Sequence, residues 1–106
     1  MDFKAMASNL GIGEADFLEL AALLVVTSLS DLAALEKGLA QGSPDPIAHA
    51  AHSIKGAAGN LGFADIAAIA SEMETLAGKG EFDPINARAN ALRQGLDAIN
   101  MAMDRR

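Results

Sequence analysis

His52, Lys55, Gly56 and Gly59 are the residues whose types and spacing could do chemistry together. At about 100° per residue, a helix through them gathers all four within roughly 100° of arc. His49 and Ala48 share that stripe, while the opposite arc holds Ile47, Ala50, Ile54, Ala57, Ala58 and Leu61. An apolar set of this kind must face a core, so the His52 ring faces water or a partner. An exposed imidazole keeps a nitrogen lone pair near neutral pH and can act as a nucleophile. Lys55 stands one turn along, where its three N–H donors could meet an anion carried by the ring. Gly56, four residues on, removes the side chain that would crowd the imidazole. Glycine inside a helix costs about 1 kcal/mol relative to alanine. Two of them on the histidine stripe point to access for a bulky approaching group.

The elements that position this stripe can be read from the punctuation around it. Gly42-Ser43-Pro44 opens the motif helix, with Ser43 able to cap and Pro44 suited to the first helical position. The helix runs to about Asn60, and Leu61-Gly62-Phe63 makes a tight turn. Upstream, residues 2–9 can form a short amphipathic helix with Phe3, Met6 and Ala7 on one side, interrupted by Gly11 and Gly13. A long helix then spans Glu14 to about Gln41, with Glu14 and Asp16 in its first turn, where the helix dipole favours acids. Phe17, Leu20, Leu24, Leu32, Leu35 and Leu39 supply its repeat. Its middle, Leu23 to Leu29, is apolar nearly all round. Such a helix is either buried on several sides or leaves part of its surface beside His52 as a docking patch.

Downstream, a helix from Ala64 to Ala77 carries Ile66, Ile69, Ala70, Met73, Leu76 and Ala77 on one face, and Gly78-Lys79-Gly80 ends it. Asp83-Pro84 repeats the cap-plus-proline signal. Ile85, Ala89, Leu92, Leu96, Ile99 and Met103 then alternate spacings of four and three, a bundle seam. Gly95 lies inside that seam at a cost the sequence does not explain. No alternating strand pattern occurs, and short connections imply antiparallel neighbours. The expectation is an all-α, antiparallel up-and-down four-helix bundle with a short extra N-terminal helix. It forms one domain, residues 1–13 being the short helix and linker and 14–104 the bundle.

Composition narrows the function classes. The chain of 106 residues is 51% apolar but only 4% aromatic, all phenylalanine, so its core is built from aliphatic side chains and many alanines. There is no cysteine, which excludes disulfides, thiolate metal sites and thiol catalysis. A net charge of −6 argues against nucleic acid and anionic membranes as partners. Met1 to Leu10 carries Asp2 and Lys4 and is no signal peptide. The longest uninterrupted apolar run, Leu20 to Val26, is far shorter than the roughly 20 residues that span a bilayer. A cytoplasmic location is expected. No phosphate-binding glycine loop, nucleotide-binding strand-turn-helix or nucleophile elbow is present. His49 lacks a following Lys-Gly pair and is read as solvated. With His52 it has i, i+3 spacing but no evident third metal ligand.

His52-x-x-Lys55-Gly56, with Gly62 ten residues after the histidine, resembles the signature of histidine-containing phosphotransfer (HPt) domains. Leu10-Gly11-Ile12 leading into Asp16-Phe17-Leu18-Glu19-Leu20 is similar to that family's approach to its first long helix, and the order of elements also fits. The resemblance implies a phosphorelay intermediate in two-component signal transduction. His52 would accept a phosphoryl group from a receiver-domain phospho-aspartate and pass it to another receiver. Lys55 would stabilise the phosphoryl group and Gly56 would keep the approach open. In the resembling family a Gln or Glu on the following helix often hydrogen-bonds the ring. The matching position here, twenty-two residues after His52, is Glu74. A carboxylate accepting from Nδ1–H would orient the ring and leave Nε2 as nucleophile.

The same resemblance implies a phosphohistidine carrier with no kinase activity of its own and no cofactor of its own, Mg²⁺ being held by the partner receiver. Its partners would be response-regulator receiver domains or a hybrid histidine kinase, with the carrier itself a monomer. The sensor-kinase dimerisation helix is a related alternative, but its histidine is typically followed by Glu or Asp, whereas Ser53 follows His52. Two rival readings are a non-catalytic helical module that sequesters a receiver, and a fragment of a hybrid sensor kinase.

Overall fold

The computed structural model describes residues 1–105. Five helices follow one another: α1 (Phe3–Asn9), α2 (Glu14–Gln41), α3 (Pro44–Leu61), α4 (Ala64–Gly78) and α5 (Asp83–Asp104). There is no strand among the described residues. Helices α2 to α5 run up and down in turn, with α3 packed between α2 and α4 and α5 closing the bundle against α4 and α2. The short α1 lies on α2.

The turns that reverse the chain on either side of α3 both depend on glycine. Gly42 (φ 64°) and Gly62 (φ 87°) adopt left-handed backbone after α2 and α3, a region costly for a residue with a Cβ. In each case the next residue donates back into the helix just ended, Ser43 N to Gly38 O at 2.9 Å and Phe63 N to Ala58 O at 2.9 Å. These bonds satisfy carbonyls that the helix ends would otherwise orphan.

Two of the expected caps are not made. Ser43 occupies the cap position of α3 in extended conformation, but its hydroxyl makes no capping bond. A capping hydroxyl bonds the second or third helical N–H, and the third residue here is Pro46, which has none. Asp83 is not a cap at all. It is the first residue of α5, preceded by Phe82, and the helix opens with a tight bond from Ile85 N to Phe82 O at 3.0 Å. Its carboxylate contributes only to the dipole. The side-chain cap that does form is Asp2, whose Oδ1 accepts from Ala5 N at 2.9 Å.

One core runs through all five helices. Phe17, Leu32, Leu35, Ile47, Ile54, Met73, Ile85, Leu92, Leu96 and Ile99 are among its fully buried members. Phe17 links its lower end, with ring centroids 6.1 Å from Phe3 of α1 and 5.9 Å from Phe63 in the α3–α4 turn. The helical repeats foretell most of this core, but Leu20 and Ala57, expected inside, are exposed, and Leu18, Ala21 and Ala51, outside the repeats, are buried. By length and composition α2 could cross a membrane, with mean hydropathy 1.8 over an 18-residue window. In the bundle α1, α3 and α5 all pack against it.

Gly95 now has a reason. A Cβ built there would lie 2.5 Å from Ile66 Cδ1, so the glycine lets α5 close onto α4 over a buried isoleucine. Gly56 is the opposite case, since a Cβ there would meet nothing within 4 Å. Gly56→Ala is expected to gain about 1 kcal/mol from helix propensity alone. Gly95→Ala should forfeit that gain to displacement of Ile66, and Gly95→Leu should cost about 1–3 kcal/mol. Thermal unfolding of the three variants checks the contrast.

Candidate functional site

His52 lies midway along α3, on the face turned away from the buried arc of Ile47, Ala50, Ala51, Ile54 and Ala58. Its side chain is 68% exposed. The neighbouring α4 runs antiparallel to α3, which brings Glu74 level with it. Glu74 Oε2 lies 3.0 Å from His52 Nδ1. A carboxylate only accepts, so Nδ1 carries the hydrogen and donates it. In the neutral ring the lone pair is then on Nε2, which has no hydrogen-bond partner among the described residues.

The second oxygen of the same carboxylate is also engaged. Lys55 Nζ donates to Glu74 Oε1 at 2.6 Å. One acidic side chain on α4 therefore ties together two α3 side chains one turn apart. Both Lys55 and Glu74 are partly shielded, at 36% and 30% side-chain exposure. The Lys55 ammonium holds the Glu74 carboxyl below the usual carboxylate range. Desolvation opposes this shift, and the contact with His52 assists it. The group that orients the ring is thus an ionised carboxylate near neutral pH.

The four residues singled out by the sequence fall at one place on the surface. His52, Lys55 and Glu74 are joined by hydrogen bonds, and Gly56 leaves open space beside the ring. Gly59, on the same stripe, is equally open. Lys55 differs from the simple expectation of a cation waiting for an anion, because its ammonium already has a carboxylate partner. Antiparallel packing brings Glu74 level with His52 and Lys55, but the link between Lys55 and Glu74 has no signal in the spacing alone. His49 is exposed and makes no side-chain hydrogen bond among the described residues.

The apolar surface of α2 is exposed in part, at Leu20, Leu23 and Val26. Leu20 lies five helical turns from Gly38, on the stripe that meets Ile47 and Pro46 of α3. At a rise of about 1.5 Å per residue Leu20 stands roughly 27 Å from the level of Gly38, past the end of α3. With Gly38 level with Ile47, a rise of about 1.5 Å per residue puts Val26 roughly 10 Å from the level of His52, toward Gly62. It flanks the histidine at a distance rather than lying directly beside it.

Removing the ring's acceptor should change which nitrogen carries the hydrogen. In Glu74→Ala the neutral His52 ring is expected to lose its Nδ1–H bias and populate the Nε2–H form. Two-bond ¹⁵N–¹H correlation spectra report the ratio, and an unchanged spectrum would mean the carboxylate does not set the tautomer.

Comparison with known proteins places this arrangement in a family. The sequence profile of the Hpt domain matches residues 19–102. The crystal structure of histidine-containing phosphotransfer protein B from Pseudomonas aeruginosa PAO1 superposes with a TM-score of 0.85 at 25% sequence identity, covering 99% of this chain and 91% of that one. No curated protein matches significantly. With the profile spanning most of the bundle, the chain belongs to the Hpt domain family, and its role is histidine phosphotransfer in a phosphorelay of two-component signalling.

Proposed function

We propose that His52 is the phosphoacceptor, and that it takes its phosphoryl group from a receiver-domain phospho-aspartate and passes it to a second receiver. The observation that carries this reading is the ring itself: Nδ1 held by Glu74 at 3.0 Å, Nε2 free, and no side chain at Gly56 to obstruct it. A held ring presents its lone pair in one direction, which is what in-line attack on phosphorus requires. Nε2 forms the new bond to phosphorus as the P–O bond to the donor's aspartyl oxygen breaks, and that electron pair returns to the donor carboxylate. The Nδ1 hydrogen stays where it is, so the ring becomes positive, and the Glu74 carboxylate offsets that charge as it develops.

In this reading the receiver brings its own Mg²⁺ and the carrier needs no cofactor. Leu20, Leu23 and Val26 offer apolar area for the receiver to cover while its aspartate sits over His52. A hybrid histidine kinase that carries a receiver would dock in the same way. The chain works in the cytoplasm and as a monomer between encounters.

Two variants separate acceptor from bystander. His52→Gln should abolish acid-labile label from a phosphorylated receiver, and His49→Gln should retain most of it. Label persisting on a folded His52→Gln chain would remove the assignment. Steric access is tested at Gly56. Gly56→Gln adds a side chain into open space away from the core, so it should leave the fold intact and slow transfer by at least about tenfold. Wild-type transfer rates in that variant, measured by rapid quench, would show that the glycine is not there for access.

A further inference from the structure

Glu74 serves two donors with one carboxylate, Oε2 toward the His52 ring and Oε1 toward Lys55 at 2.6 Å. That division is balanced while the histidine is empty. The ring contributes an N–H, the lysine a positive charge, and the carboxylate the matching negative charge. Arg88 and Arg93 are paired with Glu72 and Glu36. Lys55 is the basic side chain that the structure connects to the site.

A phosphoryl group on Nε2 upsets the balance by bringing about two negative charges. Lys55 is one turn from His52 on the same helix, so the new oxygens come within its reach. It cannot fully neutralise both them and Glu74. We propose that the phosphoryl group and Glu74 compete for Lys55, so that the Glu74 carboxylate sets how long His52 holds its phosphate. This inference rests on the reading of His52 as the acceptor.

The carboxylate acts on the phosphate in several ways, and its attraction for the positive ring, which eases transfer onto Nε2, is outweighed by the effects that favour loss. By retaining the ammonium it leaves the phosphoryl oxygens less neutralised. Its own charge repels them across the ring. Through Nδ1–H it also supports the positive form of the phosphorylated ring, from which neutral imidazole departs when the Nε2–P bond breaks and its electron pair returns to nitrogen. The phosphoryl group then leaves to an incoming carboxylate oxygen or to water. A glutamine at this position would keep the ring in place, since its amide oxygen also accepts from Nδ1–H, but it would bring no charge. Glu74 is therefore more than a ring holder: it is a positioning residue that also keeps the bound phosphate transferable.

The test uses the full chain phosphorylated with phosphoramidate, a small donor whose P–N bond breaks to release ammonia, so no partner protein is needed. The decay of phosphohistidine is followed by ³¹P NMR. Glu74→Gln is expected to lengthen the half-life by about threefold or more. In a Lys55→Gln background the same change should lengthen it by much less, because no ammonium is left to release. Glu72→Gln removes the same charge from the same helix, where its partner is Arg88, and should leave the half-life unchanged. Equal half-lives for wild type and Glu74→Gln, or a Glu74→Gln effect undiminished without Lys55, would overturn the competition while leaving His52 as acceptor. A wild-type chain that takes no label at His52 would instead overturn the acceptor reading itself.

Discussion

The close approach of α3 and α4 is the constraint on which the site depends. Glu74 reaches both His52 and Lys55 across the contact between the two helices, and several small residues on them favour a close approach. Ala51 and Ala58 of α3 and Ala70 and Ala77 of α4 are all buried. Small side chains at helix contacts allow axes to lie near the short end of the usual 8–10 Å range. The scarcity of aromatics, a compositional curiosity at first sight, is part of the same solution. Three of the four rings meet at one end, Phe17 against Phe3 and Phe63. The fourth, Phe82, packs on the core from the α4–α5 connection, so no ring stands at the level at which His52 and Glu74 must touch.

Much of this was legible in the residues. The bounds of α2 and α3 follow from Gly42-Ser43-Pro44 and Gly62, where a left-handed turn and a proline leave little choice of boundary. The outward direction of His52 follows from the buried arc opposite it. Glu74 comes from the resemblance to the HPt family rather than from the residues alone, and the packing of two antiparallel helices joined by a short turn accounts for its level with the histidine. What the spacing could not say is that Lys55 would close onto the same carboxylate. That depends on helix rotation and rotamers, which one sequence does not encode separately.

The misses share a physical origin. A helical wheel gives the angle of each residue but not how far a neighbouring helix reaches around it, so Leu20 and Ala57, at the margins of apolar arcs, are exposed. Gly95 is intelligible only with Ile66 opposite it, a pairing between helices far apart in sequence. The unmade Ser43 cap is different. Pro46, three residues away, removes one of the two N–H groups that the Ser43 hydroxyl could use, which attention to the donor rather than to the hydroxyl would have found.

Gly56 and Gly59 leave bare backbone on the exposed face of α3 next to the imidazole. A partner that settles there meets a surface with few rotamers to freeze. Each long side chain immobilised at an interface costs about 0.5–1.5 kcal/mol, and here that charge is largely absent on one side of the contact. Such a surface can be recognised through its shape with modest total contact energy, so that complexes form readily and come apart readily. For a carrier that must meet one protein and then another, quick release matters as much as capture, and the missing side chains serve the leaving as well as the arriving.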